Sequence, residues 1–258
     1  MASGHAVVEV FNREGAGPFV LACDHASHQI PAEFGNLGLD PALLQAHIAW
    51  DPGARDVAKE LARILDAPLI LPRVSRLVHD CNRPAGSADA VPVKSDIFEI
   101  PGNRDLTPEQ RQDRGRRFYA PFHDTLHEIL QSQISAGRAP ILVTIHSYTP
   151  VYQGTVRAVE LGIVHDDDAR FADAILAIAG DNADLVAGRN DPYGPEDGVT
   201  HTLRVHALPL GLLNVMIEIK NDLIRDEPAQ IRMARRLSGY LNEALASMDS
   251  ENKAAGHA

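Results

Sequence analysis

The sequence predicts an α/β fold of three layers, a mainly parallel or mixed sheet with helices on both faces. Two observations lead there. Short apolar runs rich in β-branched residues recur along the 258 residues, and they alternate with longer stretches of helical period. Three of the runs also end abruptly in polar residues: 19–23 before Asp24 and His25, 141–145 before His146, and 213–217 before Glu218. In open sheets of this class, ligands gather beyond the carboxyl ends of the strands.

Strands are expected at 19–23, 69–71, 74–79, 141–145, 161–164 and 213–219. Helices are expected at about 53–66, 107–136, 167–180 and 227–247. The 107–136 segment carries the clearest signals. Thr107 caps it, Pro108 takes the first helical position, Gln110 closes a capping box, and Phe118, Phe122, Leu126 and Ile129 share one face. In the last helix Ile231, Ala234, Leu237, Leu241 and Leu245 fall at helical spacing. Between Pro84 and Leu106 no period survives, because Pro84, Gly86, Pro92, Pro101 and Gly102 interrupt it. A segment of that kind either covers a site as a lid or meanders over the surface. About 15 residues at the start and about 12 at the end read as peripheral, the tail fraying from Ser247. With no repeat and no linker, the chain 1–258 reads as one catalytic domain.

Composition narrows the function. A hydrophobic share of 45% supplies a core, and a formal charge of −11 disfavours nucleic acid and anionic membrane as partners. A small anionic substrate then needs a local basic pocket. Cys23 and Cys81 both follow apolar residues, which predicts buried free thiols in a reducing cytoplasm. The N-terminus lacks a basic start followed by an apolar stretch, and no run reaches the roughly 18 apolar residues of a membrane span. The expectation is a soluble cytoplasmic protein.

Metal-assisted hydrolysis is the chemistry these residues suit. Imidazole and carboxylate bind Zn²⁺, and a catalytic zinc takes three protein ligands with one open position. His25 and His146 each follow a strand. A third ligand comes from His28, three residues after His25, or from Asp51, which stands before Pro52 and could equally cap a helix. Glu218 lies in an apolar strand, where an unpaired carboxylate is costly; it meets a cation, or it serves a metal site as general base. Arg83 offers a planar fork for a substrate carboxylate, with Asn82 beside it. Tyr148, Arg157, Asn190, Tyr193, Thr200 and His201 fall in expected loops that could line a pocket. Nucleophilic catalysis ranks lower, because neither Ser27 nor Ser147 sits in a Gly-x-Ser-x-Gly elbow, and no phosphate or dinucleotide fingerprint occurs.

Six segments in order, Cys23-Asp24-His25-Ala26-Ser27, His47-Ile48-Ala49-Trp50-Asp51, Asp80-Cys81-Asn82-Arg83, His146-Ser147-Tyr148-Thr149-Pro150, Asn190-Asp191-Pro192-Tyr193 and Glu218-Ile219-Lys220-Asn221-Asp222-Leu223, resemble the N-formylglutamate amidohydrolase family. The resemblance spans roughly 18–245. More distantly, Asn82-Arg83, Ile145-His146-Ser147-Tyr148 and Glu218 look like segments of zinc carboxypeptidases and acylamino-acid deacylases. This resemblance implies a phosphorylase/hydrolase-like fold and deformylation of an N-formyl or other N-acyl acidic amino acid such as N-formylglutamate, a step of histidine degradation. It also implies zinc, or another divalent ion, on His25 and His146 with Asp51 favoured as third ligand over His28. Glu218 is then the base, and Asn82, Arg83, Tyr148, Arg157 and Asn190 contact substrate. The Asp-His-Ala-Ser around His25 departs from the family's Pro-His-Ser-Gly and marks a divergent branch. A carboxypeptidase or deacylase with another substrate, and a non-catalytic acyl-amino-acid-binding module, are the alternatives. The sequence leaves the oligomeric state open.

Overall fold

The computed structural model describes residues 7–181 and 185–255. In chain order it contains β1 (Val8–Phe11), β2 (Phe19–Ala22), α1 (Ala54–Ile64), β3 (Leu69–Pro72), a hairpin of β4 (Lys94–Ser95) and β5 (Phe98–Glu99), and α2 (Pro108–Arg114). Then come α3 (Ala120–Ser135), β6 (Ile141–Tyr148), a hairpin of β7 (Val151–Tyr152) and β8 (Thr155–Val156), β9 (Leu161–Val164), α4 (Arg170–Asp181), β10 (Ala187–Arg189), α5 (His201–His206), β11 (Asn214–Lys220) and α6 (Glu227–Ala255). Seven strands form one mixed sheet in the order β1-β3-β2-β6-β11-β9-β10. Its centre, β3-β2-β6-β11, is parallel, while β1 and β9 join it antiparallel. The expected three-layer α/β fold is present.

Strand alternation divides the core into two faces. Odd-numbered residues such as Leu21, Val143, Ile145, Val215 and Ile217 pack with α1, α4 and α6. Even-numbered ones such as Val20, Leu142 and Met216 pack with Phe122, Leu126 and Ile129 of α3 and Leu203 of α5. From β2 the chain passes through α1 to β3 on one side, and from β3 it passes through α2 and α3 to β6 on the other. The strand order therefore switches between β2 and β6, and a crevice opens beyond their carboxyl ends.

Three expectations need correction. Residues 74–79 form a turn, because the buried Ser75 hydroxyl donates to the Ala49 carbonyl and accepts from Leu77 N, which takes this backbone away from the sheet. Leu77 and Val78 then fill a third, smaller cluster with Leu37, Ile48 and Phe118. The helix expected at 107–136 begins with the predicted capping box but is broken by a π-helical turn at Gly115–Tyr119. Pro121 lacks the N–H that a continuous α-helix would use there. The tail does not fray at Ser247: α6 continues to Ala255, with Met248 packed on the core. At the other end, Val8–Phe11 adds an edge strand. The remaining termini, 1–6 and 256–258, lie outside the described residues.

Gly162 ties the sheet to the crevice. It stands opposite Glu218 in the β9–β11 ladder, and a Cβ there would fall 2.5 Å from the Asp191 carbonyl oxygen and 3.0 Å from Glu218 Cβ. Gly162→Ala is expected to destabilise the protein by about 1–3 kcal/mol through overpacking. Urea denaturation measures it; a loss below the error of the method would show that Asp191 yields freely.

Candidate active site

Register brings the site together. His146 and Glu218 are direct partners across β6 and β11, both with even parity, at the carboxyl ends of their strands. His25 follows β2 three residues on. Asp51 arrives from the loop before α1, whose N-cap is Gly53 with no side-chain cap, so the carboxylate does not cap the helix. It faces the two imidazoles instead.

Asp51 Oδ2 lies 2.9 Å from His146 Nδ1 and 3.3 Å from His25 Nδ1, and it also accepts from Ser147 N at 3.3 Å. Each outer ring nitrogen meets a further carboxylate: His25 Nε2 lies 2.8 Å from Asp80 Oδ1, and His146 Nε2 lies 2.9 Å from Asp24 Oδ2. Thr202 Oγ1 donates to Asp24 Oδ1, and Arg76 Nη2 donates to Asp80 Oδ2 at 2.6 Å. Arg76 Nη1 completes the cluster, 3.3 Å from His25 Nδ1. All of these groups except Arg76 are almost wholly buried.

The electrostatics follow from that packing. Burial alone would push His146 down, but its bonds to Asp24 and Asp51 outweigh it and raise the imidazole to about 10. Burial and Arg76 likewise oppose protonation of His25, and Asp80 with Asp51 overcome them. Burial would raise Asp51, yet His25 and His146 hold it low. Glu218 goes the other way. Burial raises its carboxyl to about 7, Asp51 adds to the rise, and Oε2 has no hydrogen-bond partner among the described residues.

The donor set fits a divalent ion. One atom each of His25, Asp51 and His146 lies within 4.8 Å of the others. The two Nδ1–Oδ2 separations compare with about 3.3–3.6 Å between ligands held at 2.0–2.2 Å in a tetrahedral zinc site. Asp80 and Asp24 each accept the Nε2–H, which leaves Nδ1 to face the centre, the arrangement in which carboxylates orient metal-binding histidines. His28 lies apart, its ring edge against Trp50 and Nε2 3.2 Å from Gln29 Nε2.

A cavity of about 190 Å³ opens on this cluster. Asn82, Arg83, Tyr148 and Glu218 line it, as do Arg76, His47, Asp96 and Tyr193. Ser95 and Asp96 come from the 84–106 segment, which thus reaches the site. Asn82 holds the 199–202 backbone, its amide accepting from Thr202 N and donating to the Val199 carbonyl. Arg83 Nη1 donates to the carbonyls of Asn82 and Gly198. Tyr148 donates its hydroxyl to Val159 O. Two expected contacts fall outside the lining. Asn190 accepts from His165 N, and Arg157 lies among the rings of Tyr148, Tyr152 and Tyr193. Thr200 bonds Asp166, and His201 Nε2 lies 2.8 Å from Tyr119 Oη.

A family model described as N-formylglutamate amidohydrolase matches residues 17–225. The chain belongs to the N-formylglutamate amidohydrolase family. It is accordingly a hydrolase of the amidohydrolase kind. The gene product Atu2144 from Agrobacterium tumefaciens is 52% identical, with a TM-score of 0.94 over 96% of this chain and 98% of its own. N-formylglutamate amidohydrolase from Ralstonia eutropha JMP134 is 18% identical, with a TM-score of 0.72 over 95% of this chain and 100% of its own, and shares the fold. No curated protein matches. No helix among the described residues is long and apolar enough to cross a membrane, and Cys23 and Cys81 are free and buried as expected.

Behind this amidohydrolase site lies a set of buried imidazoles that sequence reasoning did not assemble. His123 Nδ1 is 2.7 Å from His206 Nε2, and His123 Nε2 is 2.8 Å from the Cys81 carbonyl. Sequence reasoning also missed Asp24, Asp80 and Arg76 as the groups that orient the site. The only local signals were that Asp24 directly precedes His25 and that Asp80 stands two residues before Asn82; none marked Arg76.

Two outcomes are expected. Without metal, His146 stays protonated until about pH 10, so an incoming ion must displace an Nδ1 proton; affinity rises with pH, and calorimetry in buffers of different ionisation heat near pH 7 reads at least one proton released per ion. Asp80→Asn weakens that affinity about 10–100-fold. Proton-neutral binding would contradict the protonated pair. Separately, burial lowers His206 to about 3, so the unfolded chain takes up a proton below 6.5 that the folded one refuses. Stability falls as pH drops from 6.5 toward 3, and His206→Gln moves the midpoint of acid unfolding to lower pH by circular dichroism.

Proposed function

We propose that the protein hydrolyses the amide bond of an N-formyl or other short N-acyl amino acid at a divalent metal, zinc being favoured, held by His25, Asp51 and His146. N-formylglutamate is the reference substrate. The observation that carries the reading is Glu218, a buried carboxylate with a free oxygen, paired in register with a histidine of the donor set.

What the ion supplies when bound is Lewis acidity toward a carbonyl oxygen and toward water. The protein's own groups do the rest. Glu218, raised to about 7, takes a proton at Oε2 from the attacking water and returns it to the leaving nitrogen, with its affinity near working pH. Arg76, anchored on Asp80 through Nη2, lines the cavity, where its guanidinium can hold charge that develops on the carbonyl oxygen. Arg83 keeps Nη2 for the substrate's α-carboxylate, and Asn82 holds the 199–202 segment against it. Tyr148 and Tyr193 form an aromatic wall. The partner is thus a small anionic acyl amino acid, and a cytoplasmic setting suits the two unpaired thiols.

Glu218→Gln is expected to lower turnover of the metal-loaded protein by about 10²–10⁴-fold or more while leaving metal content unchanged. Metal analysis beside a deformylation assay checks it. Loss of both would make Glu218 a ligand, and retained turnover would sink the base assignment.

A further inference from the structure

We propose that Tyr193, held by Arg157, is a specificity residue that donates its phenol proton to the side-chain carboxylate of the acyl amino acid. The inference rests on the reaction proposed above and says how the second carboxylate of its substrate is recognised.

Arg157 carries a charge that the protein leaves unneutralised. Its guanidinium lies 4.7–5.2 Å from the centroids of the Tyr148, Tyr152 and Tyr193 rings. Nη1 donates to Thr149 O at 3.4 Å and Nη2 to Tyr193 Oη at 2.8 Å, and no carboxylate among the described residues lies within ion-pair distance. The ring faces soften the partial burial of this cation without cancelling its charge. In a chain of formal charge −11, a partly buried guanidinium with no anion beside it is a place that an anionic ligand can satisfy.

Tyr193 stands between that charge and the substrate. It lines the cavity, and Arg157 does not. Oη accepts from Arg157, so its own hydrogen is left to donate, and no described residue accepts it. Burial pushes the phenol up, against the pull of Arg157, so the proton stays on at neutral pH. A hydroxyl that accepts from a guanidinium is a stronger donor in turn, because hydrogen bonds in series polarise one another. The series from Arg157 Nη2–H through Tyr193 Oη–H to a carboxylate carries the pull of the cation into the cavity.

The other donors around the cavity are engaged. His25, His146 and Arg76 face Asp24, Asp51 and Asp80, and His47 Nε2 stands 3.6 Å from Asp96 Oδ2. Tyr148 gives its hydroxyl to Val159 O. Arg83 Nη1 serves two backbone carbonyls, which leaves Nη2 for the α-carboxylate. A dicarboxylate therefore needs a second grip, and Tyr193 supplies it.

The test compares kcat/KM of the metal-loaded protein on N-formyl-L-glutamate and on N-formyl-L-norvaline, which keeps the carbon chain and lacks the side-chain carboxylate. The natural chain is expected to favour glutamate by about tenfold or more, and Tyr193→Phe to shrink that ratio about tenfold or more, chiefly through KM. Arg157→Met, which removes a charge outside the lining, is expected to shrink it about threefold or more. A loss that falls equally on both compounds, as a structural role or a bond to the α-carboxylate would give, overturns the inference while the proposed reaction stands. So does a natural chain without preference for glutamate, or a ratio that Arg157→Met leaves unmoved. Where circular dichroism shows Tyr193→Phe unfolded, Arg157→Met decides. If neither compound is hydrolysed the proposed reaction fails instead, and calorimetric affinities of the two compounds are read. Tighter binding of formylglutamate that Tyr193→Phe abolishes supports the inference; equal binding, or none, overturns it.

Discussion

One carboxylate organises the site. Asp51 Oδ2 faces the Nδ1 atoms of two imidazoles that come from different strands, and it bonds a backbone N–H of β6 as well. Three buried carboxylates, Asp24, Asp51 and Asp80, then face two imidazoles and Arg76. Removing any one member would leave a buried charge without its partner, a change that costs several kcal/mol in comparable settings. The network thus constrains where the β2, β6 and α1 ends can sit.

The sheet makes that constraint possible. Parallel pairing of β6 with β11 places Glu218 beside His146, and even parity sends both toward α5 rather than α1. A slip of one residue would turn both onto the apolar face of α1 and α6. Gly162 on the other side of Glu218 keeps the neighbouring strand free of a side chain where Asp191 approaches. Backbone register, glycine placement and carboxylate chemistry therefore specify the same arrangement.

Much of this was legible in the sequence because it depends on local pattern. Apolar runs with polar ends gave β2, β6 and β11 and pointed to His25, His146 and Glu218. From the residues alone Asp51 was one of two candidates, since a residue before Pro52 reads equally as a helix cap, and only the family resemblance favoured it over His28. Ser75 shows the limit: Arg76-Leu77-Val78 has the composition of a strand, and a single buried hydroxyl turns it. Asn190 shows another, because position in a loop does not fix which side of the backbone its amide will serve. Asp24, Asp80 and Arg76 depend on contacts between segments 51 to 122 residues apart, or on a partner so placed, and no local period encodes those.

The balance of charges also explains how such a site folds before it holds an ion. Between the three carboxylates, His146, raised to about 10, holds a proton, and Asp80 and Asp51 favour the protonated form of His25, so positive charge stands where a divalent cation's charge would be needed. The metal-free protein is consequently not left with uncompensated buried carboxylates. Glu218 fits the same logic, for its burial favours the neutral acid and adds no further anion until a proton is removed. A metal held by His25, Asp51 and His146 would thus compete with protons for one set of atoms. The carboxylates that orient the imidazoles for a metal are the ones that hold the protons in its absence, so affinity for the ion and stability without it are set by the same residues.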